Sequence, residues 1–185
     1  MRNLLLALLF ALSALGTSAI AQESGSGTFQ RVKAKSLDKG KFTFPDDVRG
    51  SRLNIMFLNM GTDRESQKPQ RLALIDWHVA LEERGIFDEQ VMPYHFPVVV
   101  GAPFFVKGTI TSTNKKAYKG KVPLGQVSIL FIKDLEAFAD SAGLVVDGQP
   151  TIVIATSDAK PLQIFKGQVS PEGVDELVAA IGQLK

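Results

Sequence analysis

The 185-residue chain contains no cysteine. A thiolate is the nucleophile of disulfide exchange, and no other side chain replaces it there, so the absence of cysteine argues against thiol-disulfide oxidoreductase or peroxidase activity. Histidine is nearly absent too: His78 and His95 are the two in the chain. Three or four ligands are usual at a zinc-type site, so these two cannot form a metal centre alone. Charge of one sign is not in excess, with 21 basic against 19 acidic residues. Phosphate contacts dominate nucleic-acid affinity, so this near balance argues against a nucleic-acid partner. The polar-edged aromatics Trp77, Tyr94 and Tyr118 are few and scattered. Also missing are a phosphate-cradling loop ending in Gly-Lys-Ser/Thr, a Gly-x-Ser-x-Gly elbow, a His-Glu-x-x-His helix and a calcium loop. No metal and no cofactor is expected.

Long apolar runs are missing as well, apart from Leu4–Leu15 at the N-terminus. Arg2 precedes this run and Ala19-Ile20-Ala21 follows it, the order of regions in a secretory signal peptide. The run falls short of the roughly 20 residues that span a bilayer. Residues 1–21 are therefore read as a signal peptide cleaved after Ala21, leaving no membrane span and a periplasmic mature protein. Of the 185 residues, 21 are then lost and 164 remain, a length that suits one domain with one sizeable core. An exported chain meets an oxidising compartment but can form no disulfide, so its stability comes from its core or from assembly. Residues 22–28 are polar and rich in Gly and Ser, and are expected to be a disordered leader to a domain at 29–185.

Phe42, Phe44 and Pro45, followed by Asp46, Asp47 and Gly50, predict a short strand running into a turn. Leu53–Met60 is almost continuously apolar, as in a central strand covered on both faces. After the polar loop at 61–66, Leu74, Trp77, His78 and Leu81 fall at i, i+3, i+4 and i+7, one face of a helix. Pro69 suits its first turn and Gly85 its end. Phe96–Val100 predicts a second apolar strand, giving a strand, helix, strand unit.

Between 101 and 126, Gly101, Pro103, Gly108, Gly120, Pro123 and Gly125 predict loops with at most one short helix. Apolar residues at 131, 132, 135, 138, 139 and 142 predict a helix over 129–142. Thr151–Thr156 and Leu162–Lys166 predict a hairpin. A last helix follows, capped by Ser170, opened by Pro171 and Glu172, and buried through Val174, Leu177, Val178 and Ile181.

This order resembles the thioredoxin-like superfamily. The residues that carry the resemblance are the strand Leu53–Met60, the loop at 61–66, Gln149-Pro150-Thr151-Ile152 and the helix start Ser170-Pro171-Glu172. It implies an α/β fold, a three-layer sandwich with a central mixed sheet and a C-terminal β-hairpin plus helix. It also implies that Pro150 is cis and lies near Thr62, Asp63 and Arg64. The departure is at the redox loop, where this chain carries Gly61-Thr62-Asp63-Arg64-Glu65 in place of any cysteine. In organisation, and in the stretch Asn114-Lys115-Lys116 with Tyr118, it is similar to cysteine-free periplasmic proteins of the YtfJ type. Copper carriers of the Sco type are a further comparison, but their cysteine ligands are missing and copper is not carried over.

Thr62, Asp63, Arg64 and Glu65 stand where a parallel strand gives way to a helix, the place where open α/β sheets bind ligands and where free N–H groups favour an anion. The plainer reading is that Asp63 caps the helix and its neighbours are solvated. No Asp or Glu occurs from Gln90 through Lys133, while Lys107, Lys115, Lys116, Lys119, Lys121 and Lys133 do. That stretch is either a solvated loop or a basic surface for phosphate-bearing ligands, anionic lipid headgroups or an acidic protein. His78 reads as a core histidine and His95 as weakly suggestive. The expected function is non-redox binding of an envelope protein or a small anion, through Thr62, Asp63, Arg64, Glu65 and Pro150 with Lys115, Lys116 and Lys119. The alternatives are an acid/base enzyme using Asp63 or Glu65, and a structural subunit of an envelope assembly.

Overall fold

A computed structural model describes residues 20–23, 27–50 and 52–185. The signal segment therefore lies outside the described residues except for Ile20 and Ala21. A six-stranded mixed sheet runs in the order β1 (Ile20–Glu23), β8 (Pro161–Lys166), β7 (Thr151–Thr156), β4 (Leu53–Asn59), β5 (Val91–Val100) and β6 (Leu130–Ile132). β2 (Val32–Lys35) and β3 (Lys41–Phe44) form a separate antiparallel hairpin. The expected leader contributes Gln22 and Glu23 to β1, which pairs with the outer edge of β8.

β4 is buried at every position and lies between parallel β5 and antiparallel β7. Its alternate residues serve two layers, as the two-residue period of a strand requires. Leu53, Ile55 and Phe57 pack with Leu74, Trp77 and Leu81 of α1 (Arg64–Glu83) and with Val174, Leu177 and Ile181 of α4 (Pro171–Leu184). Met56 and Leu58 face Phe42 and Phe44 of the hairpin and Phe138 of α3 (Leu135–Ser141). Polar residues close both ends of the strand. Asn54 donates to the Thr156 carbonyl at 2.7 Å, and Asn59 to the Gln67 carbonyl at 3.0 Å.

The C-terminal hairpin and helix form as the sequence predicts, with the Gly173 amide donating to Ser170 Oγ at 3.0 Å and Pro171 in the first turn of α4. Other expectations need correction. α1 starts at Arg64, so Pro69 sits inside the helix beyond its first turn. β5 begins five residues earlier than predicted, at Val91, and contains Pro93 and Pro97. β6 pairs only with Val98–Val100, so neither proline takes the place of a paired N–H on that side.

The segment 101–126 is not mainly loop: it holds α2 (Phe104–Tyr118) and a 3₁₀ turn at Leu124–Gln126. Its glycines bracket the helix. Gly101 and Gly120 have φ of +61° and +76°, the left-handed region glycine favours, and Gly108 alone lies within. Nor does a single helix cover 129–142. Leu130–Ile132 is the edge strand β6, and α3 starts only after Asp134, whose carboxylate accepts from the Ala137 amide at 3.0 Å.

Candidate functional site

Parallel β4 and β5 end at the same edge of the sheet. β4 leads through Gly61 into α1, and β5 through Gly101 into α2. A Cβ on Gly61 would lie 2.7 Å from the Gln67 backbone nitrogen, so glycine lets the loop lie against the helix start. Between the two helices opens a cleft of about 540 Å³. α1 lines it with Arg64, Lys68 and Arg71, which share one helix face at i, i+4 and i+7. α2 contributes Thr109, Thr113 and Asn114 to the opposite wall, and Thr62 and Asp63 also line it.

None of these three cations pairs with a carboxylate among the described residues. Arg71 Nη1 reaches Asn114 Oδ1 at 3.4 Å, while its buried Nε has no partner. Asn114 is fixed in turn by donating to the Ile110 carbonyl at 3.0 Å. The one acid in the lining is already engaged. The Ser66 amide donates to Asp63 Oδ1 at 2.8 Å, and the Asp63 amide donates to Ser66 Oγ at 3.2 Å, closing a capping box. The Ser66 backbone bond is the main reason the Asp63 carboxyl is held below its ordinary range. Asp63 is therefore an ionised cap and a poor proton donor near neutrality.

Further along α1 and α2 from Arg71 and Asn114, outside the cleft lining, lies a buried polar cluster. His78 of α1 and His95 of β5 are 1% and 0% exposed, with His95 Nε2 3.1 Å from His78 Nδ1. Phe57 stacks on His95 at 4.3 Å between ring centres, and Tyr118 of α2 meets it edge-on at 5.3 Å. Burial pushes the His78 imidazole down to about 4, and pushes His95 well below its ordinary range, with the neighbouring His78 adding to the effect. Burial also raises the Tyr118 hydroxyl. Both rings are thus neutral in the folded protein at physiological pH.

Neither a family model nor a curated protein matches the chain. Solved structures do match in fold. BsSco, of the Sco family of cytochrome c oxidase assembly proteins, is 14% identical with a TM-score of 0.57, covering 88% of this chain and 96% of its own. An SCO1/SenC family lipoprotein from Bacillus anthracis is 14% identical with a TM-score of 0.54, covering 87% of this chain and 96% of its own. A DsbF homologue from Corynebacterium diphtheriae is 14% identical with a TM-score of 0.52, covering 96% of this chain and 100% of its own. The fold is thioredoxin-like. Identity this low carries the architecture and no activity.

Within the thioredoxin-like fold, the loop that opens α1 holds Thr62, Asp63, Arg64 and Glu65 and no thiol. The first three line the cleft; Glu65 is exposed and does not. Pro150 is trans, contrary to the expectation, since the one cis peptide among the described residues precedes Pro45. It precedes Thr151, which pairs with Leu58, so it stands at the same end of the sheet as the loop. β7 lies on the far side of β4 from β5, however, and Pro150 is not in the cleft wall. Lys115 and Lys116 fall in the last turn of α2, where cations suit the helix dipole, and Lys119 caps it. They do not line the cleft either.

Sequence reasoning missed Lys68, Arg71, Thr109, Thr113 and Asn114. The i, i+4, i+7 spacing of Arg64, Lys68 and Arg71 was the available signal. It flanks the apolar face, with Arg71 three and four residues before buried Leu74 and Ile75, and so reads as the solvated border of that face until α2 is seen to wall it.

Proposed function

We propose that this thioredoxin-like protein is a non-redox binding protein of the periplasm, and that it holds a small anion in the cleft between α1 and α2. The observation that carries this reading is the set Arg64, Lys68 and Arg71, converging on one cleft with no carboxylate partner among the described residues. Unpaired like charges on one helix repel, so leaving three together costs stability unless an anion neutralises them. Arg71 offers a planar fork of donors suited to the oxygens of phosphate or carboxylate. The hydroxyls of Thr62, Thr109 and Thr113 can serve the remaining ligand oxygens.

Titrating the protein with inorganic phosphate should shift the backbone NMR signals of Thr62, Thr109 and Thr113. Arg71→Gln should weaken the binding about tenfold or more, the effect of losing one charge-assisted hydrogen bond. Unmoved signals in the wild-type protein would sink the proposal, as would undiminished affinity in the variant.

The periplasmic part of the reading is supported by Arg2, the apolar run Leu4–Leu15 and Ala19-Ile20-Ala21. N-terminal sequencing of protein recovered by osmotic shock should begin at Gln22. A mature chain that retains Arg2 would count against export by cleavage.

A further inference from the structure

The exposed face of α2 is unusual in a way the cleft does not explain. Phe104 and Phe105, in its first turn, are 91% and 81% exposed. A folded protein commonly leaves single apolar residues in water, but two adjacent, almost wholly solvated phenylalanines on one helical turn are a surface with a purpose. Val100, at the end of β5 just before this turn, is also exposed.

The helix continues this face with small residues. Gly108 and Ser112 follow Phe104 at i+4 and i+8, and Thr109 and Thr113 follow Phe105 in the same way, all of them exposed. Lys116 and Lys119 are exposed at the far end of the helix. The inward side is a different row, Val106, Ile110, Asn114 and Tyr118. From Phe104 to Lys116 the face extends roughly 18 Å at 1.5 Å per residue. It carries no acidic side chain, and no Asp or Glu occurs anywhere from Gln90 through Lys133.

We propose that this face of α2 docks the protein on an anionic phospholipid membrane. Phe104 and Phe105 enter the headgroup and acyl boundary, the flat Gly and hydroxyl middle lets the helix approach the surface, and Lys116 and Lys119 meet lipid phosphates. Amphipathic helices that lie in a membrane interface combine an aromatic or aliphatic contact with cations in this manner, and each Lys or Arg near an anionic surface adds to the attraction. Charge complementarity selects lipid over an apolar protein partner. A greasy protein groove would accept the aromatic pair but gives no reason for a long acid-free stretch carrying lysines. Phe104, Phe105, Lys116 and Lys119 lie outside the cleft lining, while Thr109 and Thr113 border both surfaces, so the inference goes beyond anion binding in the cleft.

The test is co-sedimentation of the wild-type protein with phosphatidylglycerol vesicles and with phosphatidylcholine vesicles. Binding is expected to the first and not to the second, and to weaken as salt is raised. The double substitution Phe104→Ser, Phe105→Ser should reduce binding at least roughly tenfold, as loss of two apolar side chains from the interface requires. Both side chains are solvated, so folding should be kept, and an unchanged thermal midpoint checks this. Lys116→Glu with Lys119→Glu should reduce binding similarly.

Phe104→Trp gives a direct reading, since its fluorescence should shift to the blue on phosphatidylglycerol vesicles. Absence of wild-type binding at low salt overturns the proposal, as does binding that survives the loss of both phenylalanines. Capture of an envelope protein through Phe104 and Phe105, with vesicles ignored, would overturn it in favour of a protein partner. Arg71→Gln should leave vesicle binding intact and the phenylalanine variant should leave phosphate binding intact, so failure of either reading is seen separately.

Discussion

Acidifying the solution from about pH 6.5 to about pH 4 is expected to cost the folded protein about 3 kcal/mol through His78 alone. The folded imidazole is pushed down to about 4 from an ordinary value of 6.5, and each unit of such a difference is worth about 1.4 kcal/mol. The unfolded chain takes up a proton at the ordinary value while the folded chain refuses it. Stability is therefore whole above pH 6.5, declines as the pH falls, and levels off below the folded value. His95 is shifted in the same direction, for burial first and for its histidine neighbour second, and steepens the loss.

The carboxylates do not confuse the reading. Asp38, Asp63, Asp88, Asp147 and Asp158 are all lowered from 3.8, so their stabilisation is present above that value and is lost only in stronger acid. Urea midpoints measured between pH 7 and pH 4 would show the decline, and His78→Gln should flatten it to the contribution of His95. A wild-type midpoint that stays level over this range would contradict the neutral, buried pair.

Trp77→Ala should be the most damaging single truncation on the sheet face covered by α1 and α4. Trp77 is 0% exposed and packs among Leu53, Ile55, Phe57 and Leu177. Its Nε1 also donates to the Gly167 carbonyl at 3.0 Å, tying α1 to the turn after β8. Emptying a site of this size in a packed core costs about 3 to 5 kcal/mol, or roughly 10 °C in thermal midpoint for a domain of this length. Trp77→Phe keeps a ring but removes the donor, and should recover most of the loss. Calorimetry on both variants separates packing from the hydrogen bond, and a fall of under 1 kcal/mol for the alanine variant would show that the helix layer can collapse onto the void.

The parts of this fold that could be read in the sequence are those where one signal acts alone. β4 has the apolar run Ile55–Leu58 between two asparagines, α4 has Ser170 and Pro171 at its start, and the face of α1 has Leu74, Trp77 and Leu81 in helical spacing. Where signals overlap, the sequence misleads. Phe131 and Ile132 belong to an edge strand and Leu135, Phe138 and Ala139 to a helix, and their joint spacing imitates one helix. Gly101, Gly120 and Pro103 look like interruptions but mark the limits of α2, and Gly108 is tolerated within it because a mid-helix glycine costs only about 1 kcal/mol.

For the site, the loop at 62–64 was legible from its position after an apolar strand. The second wall was not, because Thr109, Thr113 and Asn114 count as a wall only once α2 exists. The contact between His78 and His95 joins two elements through a tertiary approach of side chains, and no spacing within the chain announces it.

A strand that is greasy on both faces has lost the alternation by which most strands declare their alignment, because sliding β4 by one residue would still place apolar side chains in both layers. Asn54 and Asn59 restore that information. They lie on opposite faces at the two ends of the strand, and each reaches one particular carbonyl, that of Thr156 on β7 and that of Gln67 on α1. A shift in either direction would carry both amides away from their acceptors and into hydrocarbon, at about 1 to 3 kcal/mol for each unpaired group. The two asparagines thus act as end stops. The apolar residues between them drive the strand into the core, and the amides reject every alignment but one.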